Sequence, residues 1–543
     1  MVFARRSTTL LAAIIASCAM VLSLTACTSD NKTVVDGQTT VTSNSAGGVA
    51  VFTPSDGITL NQQTPLNKWA KLVPDLAKAL ADAGFKKGDI DHTTSDSLAK
   101  QSRAIQDFVV DHLSNNTTDD SGIAIAPDNM TLLVAPVVEA DASTRQYGDY
   151  VSQNLSTNDV TDGEATSDGE SSEDDSSKDD SSNTESDSTA SDEQAQAVDR
   201  LVSSLKLAKE SGMHVVLLGN SIEGYKPDAF VKFSDAQTIG KLQAEKMVSK
   251  LKLDKASKDN PKYIEVLLPY TAVDEKGNAN DSTFAQEAFR GIWQVLGSYY
   301  QKGVVESPSG TLDGKSTEND WQAVAYDAAK EGSTAKVLDK RLAKTDGQST
   351  LTRIDGIITM NDYIASEVVK ELDDLGYTGS AADINPQITI SGIVGNITGK
   401  KDLSRDAVPD PIKSPENDNA NDSSSSDDDA DEDTSASDKD RDSQWPLVTG
   451  YGAYVSNIPS IVNGKQWMTG MEDRQTIATD IAQACAKLNK DEALNSMPSI
   501  RNSEVGGVKK IPTISEPLLA VSASNLKSAL IDPGYISLAD AGL

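Results

Sequence analysis

The 543-residue chain carries only three histidines, His92, His112 and His214, and no two stand at the spacing of a metal-binding pair. Gly219, Asn220, Ser221, Ile222 and Glu223 come near a G-x-S-x-G nucleophile elbow, but Glu223 replaces the closing glycine. In that fold the histidine follows the nucleophile, and here His214 is the last in the chain. It opens an apolar, strand-like run, which is a structural setting. Neither a G-x-x-x-x-G-K-[ST] phosphate loop nor a G-x-G-x-x-G turn after a strand occurs. The carboxylates are many but scattered, and the sequence gives no basis for pairing two into an acid–base site. These residues point away from an enzyme, a metal and a cofactor.

Two acidic runs could in principle hold calcium. An EF-hand loop needs oxygen ligands at fixed offsets and a glycine for its turn. Residues 427–442 have carboxylates without a glycine, and residues 156–170 have glycines at the wrong offsets. Both runs, 156–192 and 414–443, consist mostly of Ser, Asp, Glu, Thr and Asn. Too little apolar surface is available there to offset backbone entropy, so both are expected to be disordered insertions. They account for much of the net charge of −33. That charge excludes nucleic acid and anionic membrane surfaces as natural partners.

Of the three cysteines, Cys18 and Cys27 lie near the N-terminus. Cys485 stands alone in an alternating Ala-Cys-Ala helix pattern, as a core thiol would, so no disulfide framework is available. Residues 1–27 read as a targeting segment: Arg5 and Arg6, an apolar run over 8–24, then Leu24, Thr25, Ala26 and Cys27. This ending resembles the bacterial lipobox L-x-[AG]-C, which implies lipid on Cys27 and a place on the outer face of the cytoplasmic membrane. Acyl chains contribute about 0.8 kcal/mol per buried CH₂. Residues 28–47, polar and without apolar period, read as a flexible tether.

The elements that must position any site alternate in type. Apolar runs at 48–54, 131–136, 215–219, 229–234, 264–269 and 354–360 read as buried strands. Helical periodicity covers 69–83 (Trp69, Leu72, Val73, Leu76, Leu80), 97–113, 195–210, 236–251, 283–296, 321–342, 361–375 and 475–488. Two further runs, 388–391 and 447–449, compete for one strand position. Strand–helix alternation predicts parallel sheets with right-handed crossovers, hence an α/β molecule of two Rossmann-like lobes. Such lobes place ligands at the carboxyl ends of their strands.

The stretch 447–469 resembles the hinge of periplasmic-type sugar-binding proteins, the xylose-binding branch of ABC importer receptors. Thr449, Gly450, Ala453, Gly464, Gln466, Met468 and Thr469 match its T/S-G-x-x-A and G-x-Q-x-M-T elements. The segments 228–244, 354–362, 511–512 and 525–535 also resemble that family. The resemblance implies a type I clamshell with a multi-crossing hinge. Residues 48–235 would form lobe 1, completed by 450–470, and 236–449 lobe 2, completed by 471–543. It implies a monomeric lipoprotein that binds a mono- or oligosaccharide between its lobes and delivers it to an ABC permease. The alternative is a degenerate paralogue acting as a cell-surface sensor or interaction protein without transport.

Asn361 matches the family's sugar-contacting Asn, and helix N-cap is its other reading. Lys68 and Trp69 match an R-W pair, with Lys for Arg; Trp69 is either a sugar platform or a core side chain. Other family contacts are replaced: an Asp-Arg pair falls on Gly219 and Asn220, a hinge Asp on Gly452, a Lys near Glu472, and a stacking Trp on Lys315. Tyr451 and Tyr454 are candidates to supply the missing aromatic face. Asp281 completes the candidate ligand set.

Overall fold

The computed structural model describes residues 32–35, 38–41, 46–55, 65–115, 125–138, 145–151, 153–156, 185–273, 280–343, 351–382 and 443–543. Cys27 and the targeting segment, nearly all of both acidic insertions, and the candidate strand at 388–391 lie outside them. Contacts divide the chain into Met1–Asn44 and Ser45–Leu543. In the first unit, Lys32–Val35 pairs antiparallel with Gln38–Val41.

The second unit is built on two sheets. The first uses β1 (Gly48–Pro54), β2 (Ile90–Ser95), β3 (Met130–Val134), β4 (His214–Leu218) and β5 (Ala229–Lys232). These run parallel in the order β2-β1-β3-β4-β5. That order reverses direction between β1 and β3, which makes a topological switch point. Helix α1 (Trp69–Asp82) buries Trp69, Leu72, Leu76 and Leu80, spaced three or four apart. Helices α2 (Leu98–Asn115) and α3 (Glu185–Glu210) cover the sheet's other face. The α3 backbone is helical from Glu185, so the end of the expected 156–192 insertion is helix.

The chain then enters the second lobe through α4 (Ala236–Leu251), whose N-cap Asp235 accepts from Thr238 N–H. The second sheet comprises β6 (Lys262–Val266), β7 (Val305–Glu306), β8 (Gly356–Ile358) and β9 (Leu447–Thr449). All are parallel, in the order β7-β6-β8-β9, the same winding as in the first lobe. Helices α5 (Thr283–Gln301), α6 (Ser333–Arg341) and α7 (Asp362–Leu375) complete it. Helices α4 and α5 pack closely through Gly240 and Gly291. A Cβ on Gly291 would lie 2.0 Å from the Gln237 carbonyl oxygen, so only glycine permits the approach.

The α/β class and its parallel sheets are as expected. The completion of the lobes is not. After the short helix α8 (Ile458–Val462), strand β10 (Met468–Met471) stays beside the second lobe. Trp467 N–H donates to the Val448 carbonyl there. Helix α9 (Arg474–Leu488) instead packs on α1, its Ile477, Ile481 and Cys485 in one core with Leu72 and Leu76. Strands β11 (Ile500–Val505) and β12 (Val508–Ser515) extend the first sheet, β12 pairing parallel with β5. Residues 474–515 therefore pack with the first lobe and 468–471 beside the second, whereas the sequence expectation has 450–470 completing lobe 1 and 471–543 completing lobe 2. Both segments are amphipathic or apolar, so local pattern does not say which lobe they cover. Strand β13 (Leu519–Ser522) returns to pair antiparallel with β10. The described chain thus passes between lobes at 233–236, 471–474 and 515–519. Buried Met471, Val521, Leu526 and Leu530 form a small core beside these passages.

Among the described residues, no helix is long and apolar enough to cross a membrane.

Candidate functional site

The carboxyl ends of both sheets meet at one seam. The first lobe contributes Asn67, Lys68 and Trp69 at the start of α1, Asn220 after β4, and Phe233 and Ser234 after β5. The second contributes Asn361 after β8, Tyr451 and Tyr454 after β9, and Phe284 in the first turn of α5. Two non-glycine residues here hold positive φ, Met360 at 67° and Ala453 at 49°. Such strain persists only where surroundings over-determine the backbone. Gln243 of α4 supplies part of that restraint: it is fully buried, donates Nε2–H to the Met360 carbonyl and accepts from Thr449 Oγ1.

Between the two walls runs a strap, residues 146–150. On the first-lobe side, Asp149 pairs with Lys68 Nζ at 2.8 Å and accepts from Trp69 N–H at 3.1 Å. Its carboxylate therefore caps the positive end of α1. Asp149 N–H donates to the Asn67 carbonyl. Gly148, at φ +94°, lies so close that a Cβ would fall 2.6 Å from that same oxygen. The Tyr150 ring stacks on Phe233 at 4.8 Å and meets Trp69 edge-on at 5.1 Å. On the second-lobe side, Asn361 Nδ2–H donates to Gln146 Oε1 at 3.1 Å. Tyr454 donates its hydroxyl to the Gln146 carbonyl at 2.7 Å. Tyr147, 1 % exposed, packs against Phe284 at 4.7 Å and Tyr451 at 6.3 Å within the second lobe's core.

The expected residues divide accordingly. Asn361 caps α7, its Oδ1 accepting from Ile364 N–H, while its Nδ2–H reaches across the seam to Gln146. Trp69 is a core side chain in a ring cluster with Tyr150 and Phe233, and Lys68 holds the strap. Tyr454 borders the strap through its hydroxyl. Tyr451 shows the strap its ring, but its hydroxyl turns away to Ser234 Oγ and Glu472 Oε1. Asn220 spends its amide on the first lobe's backbone, accepting from Gln153 N–H and donating to the Pro136 carbonyl. Asp281 stands exposed before α5, where it accepts from Thr283 N–H and Oγ1–H. Lys315 is exposed and donates its N–H to Asp313 Oδ1, so it stacks on nothing at the seam. Gln146, Tyr147, Asp149 and Tyr150 carry no periodicity and were not legible as site residues. Two tyrosines around a glycine, in a chain only 5% aromatic, were the available signal.

Two buried carboxylates form the floor. Asp362 accepts from Tyr454 N–H, Gln466 Nε2–H and Thr469 Oγ1–H, all within 2.9 Å. Burial pushes its pKa up to about 6 against the pull of those bonds. Glu472 accepts from Ser234 N–H at 2.6 Å and from the Tyr451 hydroxyl at 3.3 Å, so it ties two interlobe passages together. Burial raises it to about 7. Cys485 is free and buried, its thiol pushed well up by desolvation. Among the described residues no group of His, Cys, Asp and Glu could hold a metal ion. The arrangement can bind by hydrogen bonding and ring stacking.

No family model matches the sequence, and no curated protein matches it. Among solved structures the chain is similar to an ABC transporter solute-binding protein from Clostridium phytofermentans with bound β-D-glucose. That likeness has 17% identity and TM-score 0.45, covering 91% of this chain and 99% of that one. It is similar to a carbohydrate transporter solute-binding protein from Chloroflexus aurantiacus in complex with D-glucose, at 18% identity and TM-score 0.44, covering 92% and 98%. It is also similar to a periplasmic ribose ABC transporter protein from Conexibacter woesei, at 14% identity and TM-score 0.42, covering 90% and 96%.

Proposed function

We propose that this protein is an extracytoplasmic solute-binding receptor of the ABC-importer kind, a monomer held to the outer face of the cytoplasmic membrane by lipid on Cys27. It takes a sugar between its lobes and presents the closed form to a permease. The observation that carries this reading is the seam. Two similarly wound parallel-sheet lobes turn their strand ends toward each other, and planar amide, hydroxyl and aromatic groups converge there (Asn361, Tyr454, Phe284, Tyr451). Amides can donate to and accept from sugar hydroxyls, and rings cover the apolar sugar face. The resemblance of the hinge stretch supports the sugar class. Lobe closure would then be selection of a state that the solute binds better.

A thermal-shift screen of the full chain against pentoses, hexoses and short oligosaccharides tests it. A ligand present at a hundred times its Kd stabilises by about 2.7 kcal/mol. Asn361→Asp keeps a side-chain oxygen for the α7 cap and removes the Nδ2–H donor, so it should weaken the shift without unfolding the helix. Absence of a shift with every sugar overturns the receptor reading. The second reading, a surface sensor or interaction protein without transport, is favoured by one observation: the strap already occupies the seam.

A further inference from the structure

We infer that residues Gln146–Tyr150 are a built-in ligand of the interlobe seam, holding the lobes closed without solute and competing with any solute for the same groups. The inference rests on the receptor reading only for the competition; the closure stands by itself.

A two-lobed molecule that shuts on an empty cleft strips water from the polar groups lining it. A buried donor left without a partner costs about 1–3 kcal/mol, so closure normally waits for a ligand to replace the water. Here the replacement is part of the chain. Asn361 Nδ2–H, facing the seam, finds Gln146 Oε1. The Tyr454 hydroxyl finds the Gln146 carbonyl. The space between Phe284 and Tyr451 holds the Tyr147 ring. A sugar would offer these residues similar chemistry, two acceptor oxygens beside an apolar ring face. The strap is fixed to the opposite wall by Asp149 on Lys68 and the α1 N-terminus, and by Tyr150 between Trp69 and Phe233. It therefore bridges both lobes as a bound solute would. Ordinary core packing does not require this. Tyr147 lies in the second lobe's core cluster, whereas Tyr150, three residues on, lies in the first lobe's.

If the strap occupies the seam about 99 parts in 100, an incoming solute's apparent affinity falls about a hundredfold. Releasing the strap should recover that factor.

The test places spin labels on exposed positions of the two lobes of the full chain, through Lys78→Cys on α1 and Lys336→Cys on α6, and measures their separation by pulsed electron resonance. D-glucose and D-xylose are the added probes. The expected result is one short distance with and without sugar, and a longer, broader distribution in Gln146→Ala/Tyr147→Ala. Tyr454→Phe keeps its ring packing and loses only the hydroxyl, so it should shift the distribution the same way by less, covering the case in which the double variant does not fold. A wild-type chain that is open without sugar, or variants that keep its distance, overturns the inference. If the double variant opens and a sugar closes it, with an apparent affinity raised about ten- to a hundredfold, closure and competition both hold. If it opens and neither sugar closes it, the strap still closes the lobes and the competition with these sugars falls. If the wild-type chain closes only when sugar is added, the built-in ligand fails and the receptor reading stands.

Discussion

The two walls of the seam grip the same five residues differently. The first-lobe wall uses an ion pair, a backbone hydrogen bond and a contact that only glycine allows, at Asp149, Asn67 and Gly148. The second-lobe wall uses neutral hydrogen bonds from Asn361 and Tyr454 and the burial of one ring, Tyr147. Neutral hydrogen bonds net about 1 kcal/mol each, and they are replaceable by any ligand with matching acceptors. A backbone in close steric register is not replaceable. The asymmetry teaches that the strap belongs to the first lobe and is lent to the second. Opening should leave it on α1.

The sharpest way to break that comparison is Tyr147→Ala. Loss of a buried aromatic side chain costs about 3–5 kcal/mol. The loss should appear in the urea midpoint together with lobe opening, because the ring sits in the second lobe's core. A stability loss without opening would mean that the second-lobe grip is not what closes the seam.

Next in size is Glu472→Gln, which tests the floor common to both walls. The Glu472 pKa is raised from 4.5 to about 7 in the folded chain. Its contribution is therefore present in full below the unfolded value and is lost as pH rises through about 7, by roughly 3 kcal/mol. Urea midpoints between about pH 5 and about pH 8 should show the variant gaining on wild type as pH rises. Asp362→Asn should show the same trend ending lower, near its value of about 6. Parallel curves for Glu472→Gln and wild type would remove the carboxylate from the hinge's energetics.

Gly148→Ala should cost about 2 kcal/mol, from positive φ and the Cβ clash with Asn67. If the first wall is the firm one, this variant should free the strap from α1, and limited proteolysis should then cut near residue 148. The smallest effect belongs to Lys68→Met, about 1 kcal/mol or less, since both partners are partly exposed. Added salt should shrink the difference between variant and wild type.

Asn361 marks the border between what was legible and what was not. Its capping of α7 follows from its place before a periodic run, all within four residues. Its other partner, Gln146, stands 215 residues earlier, and no local pattern names such a partner. Trp69 shows the same limit: its helix was legible, whereas the two rings around it come from distant loops. Asn220 stands at a position matched by the resemblance and Asp281 among the candidate ligands, and neither reaches the strap through the hydrogen bonds that hold it. The strap itself has neither a 3.6 nor a 2 residue period.

By itself, the sequence determined the alternation of buried strands and amphipathic helices, hence the class and the parallel arrangement, whereas β2, β11 and β12 and the break between Val324 and Ser333 carry no such pattern. Burial of one face per helix and both faces per strand is written in nearest-neighbour spacing. Only the tertiary structure decided that α9, β11 and β12 return to the first lobe, that Glu472 ties two passages together, and that the seam is filled from within. Each of these depends on which of two equally apolar or equally polar surfaces a segment meets. That choice is settled by shape and by the satisfaction of buried polar groups across long stretches of chain, and spacing along the chain does not encode it.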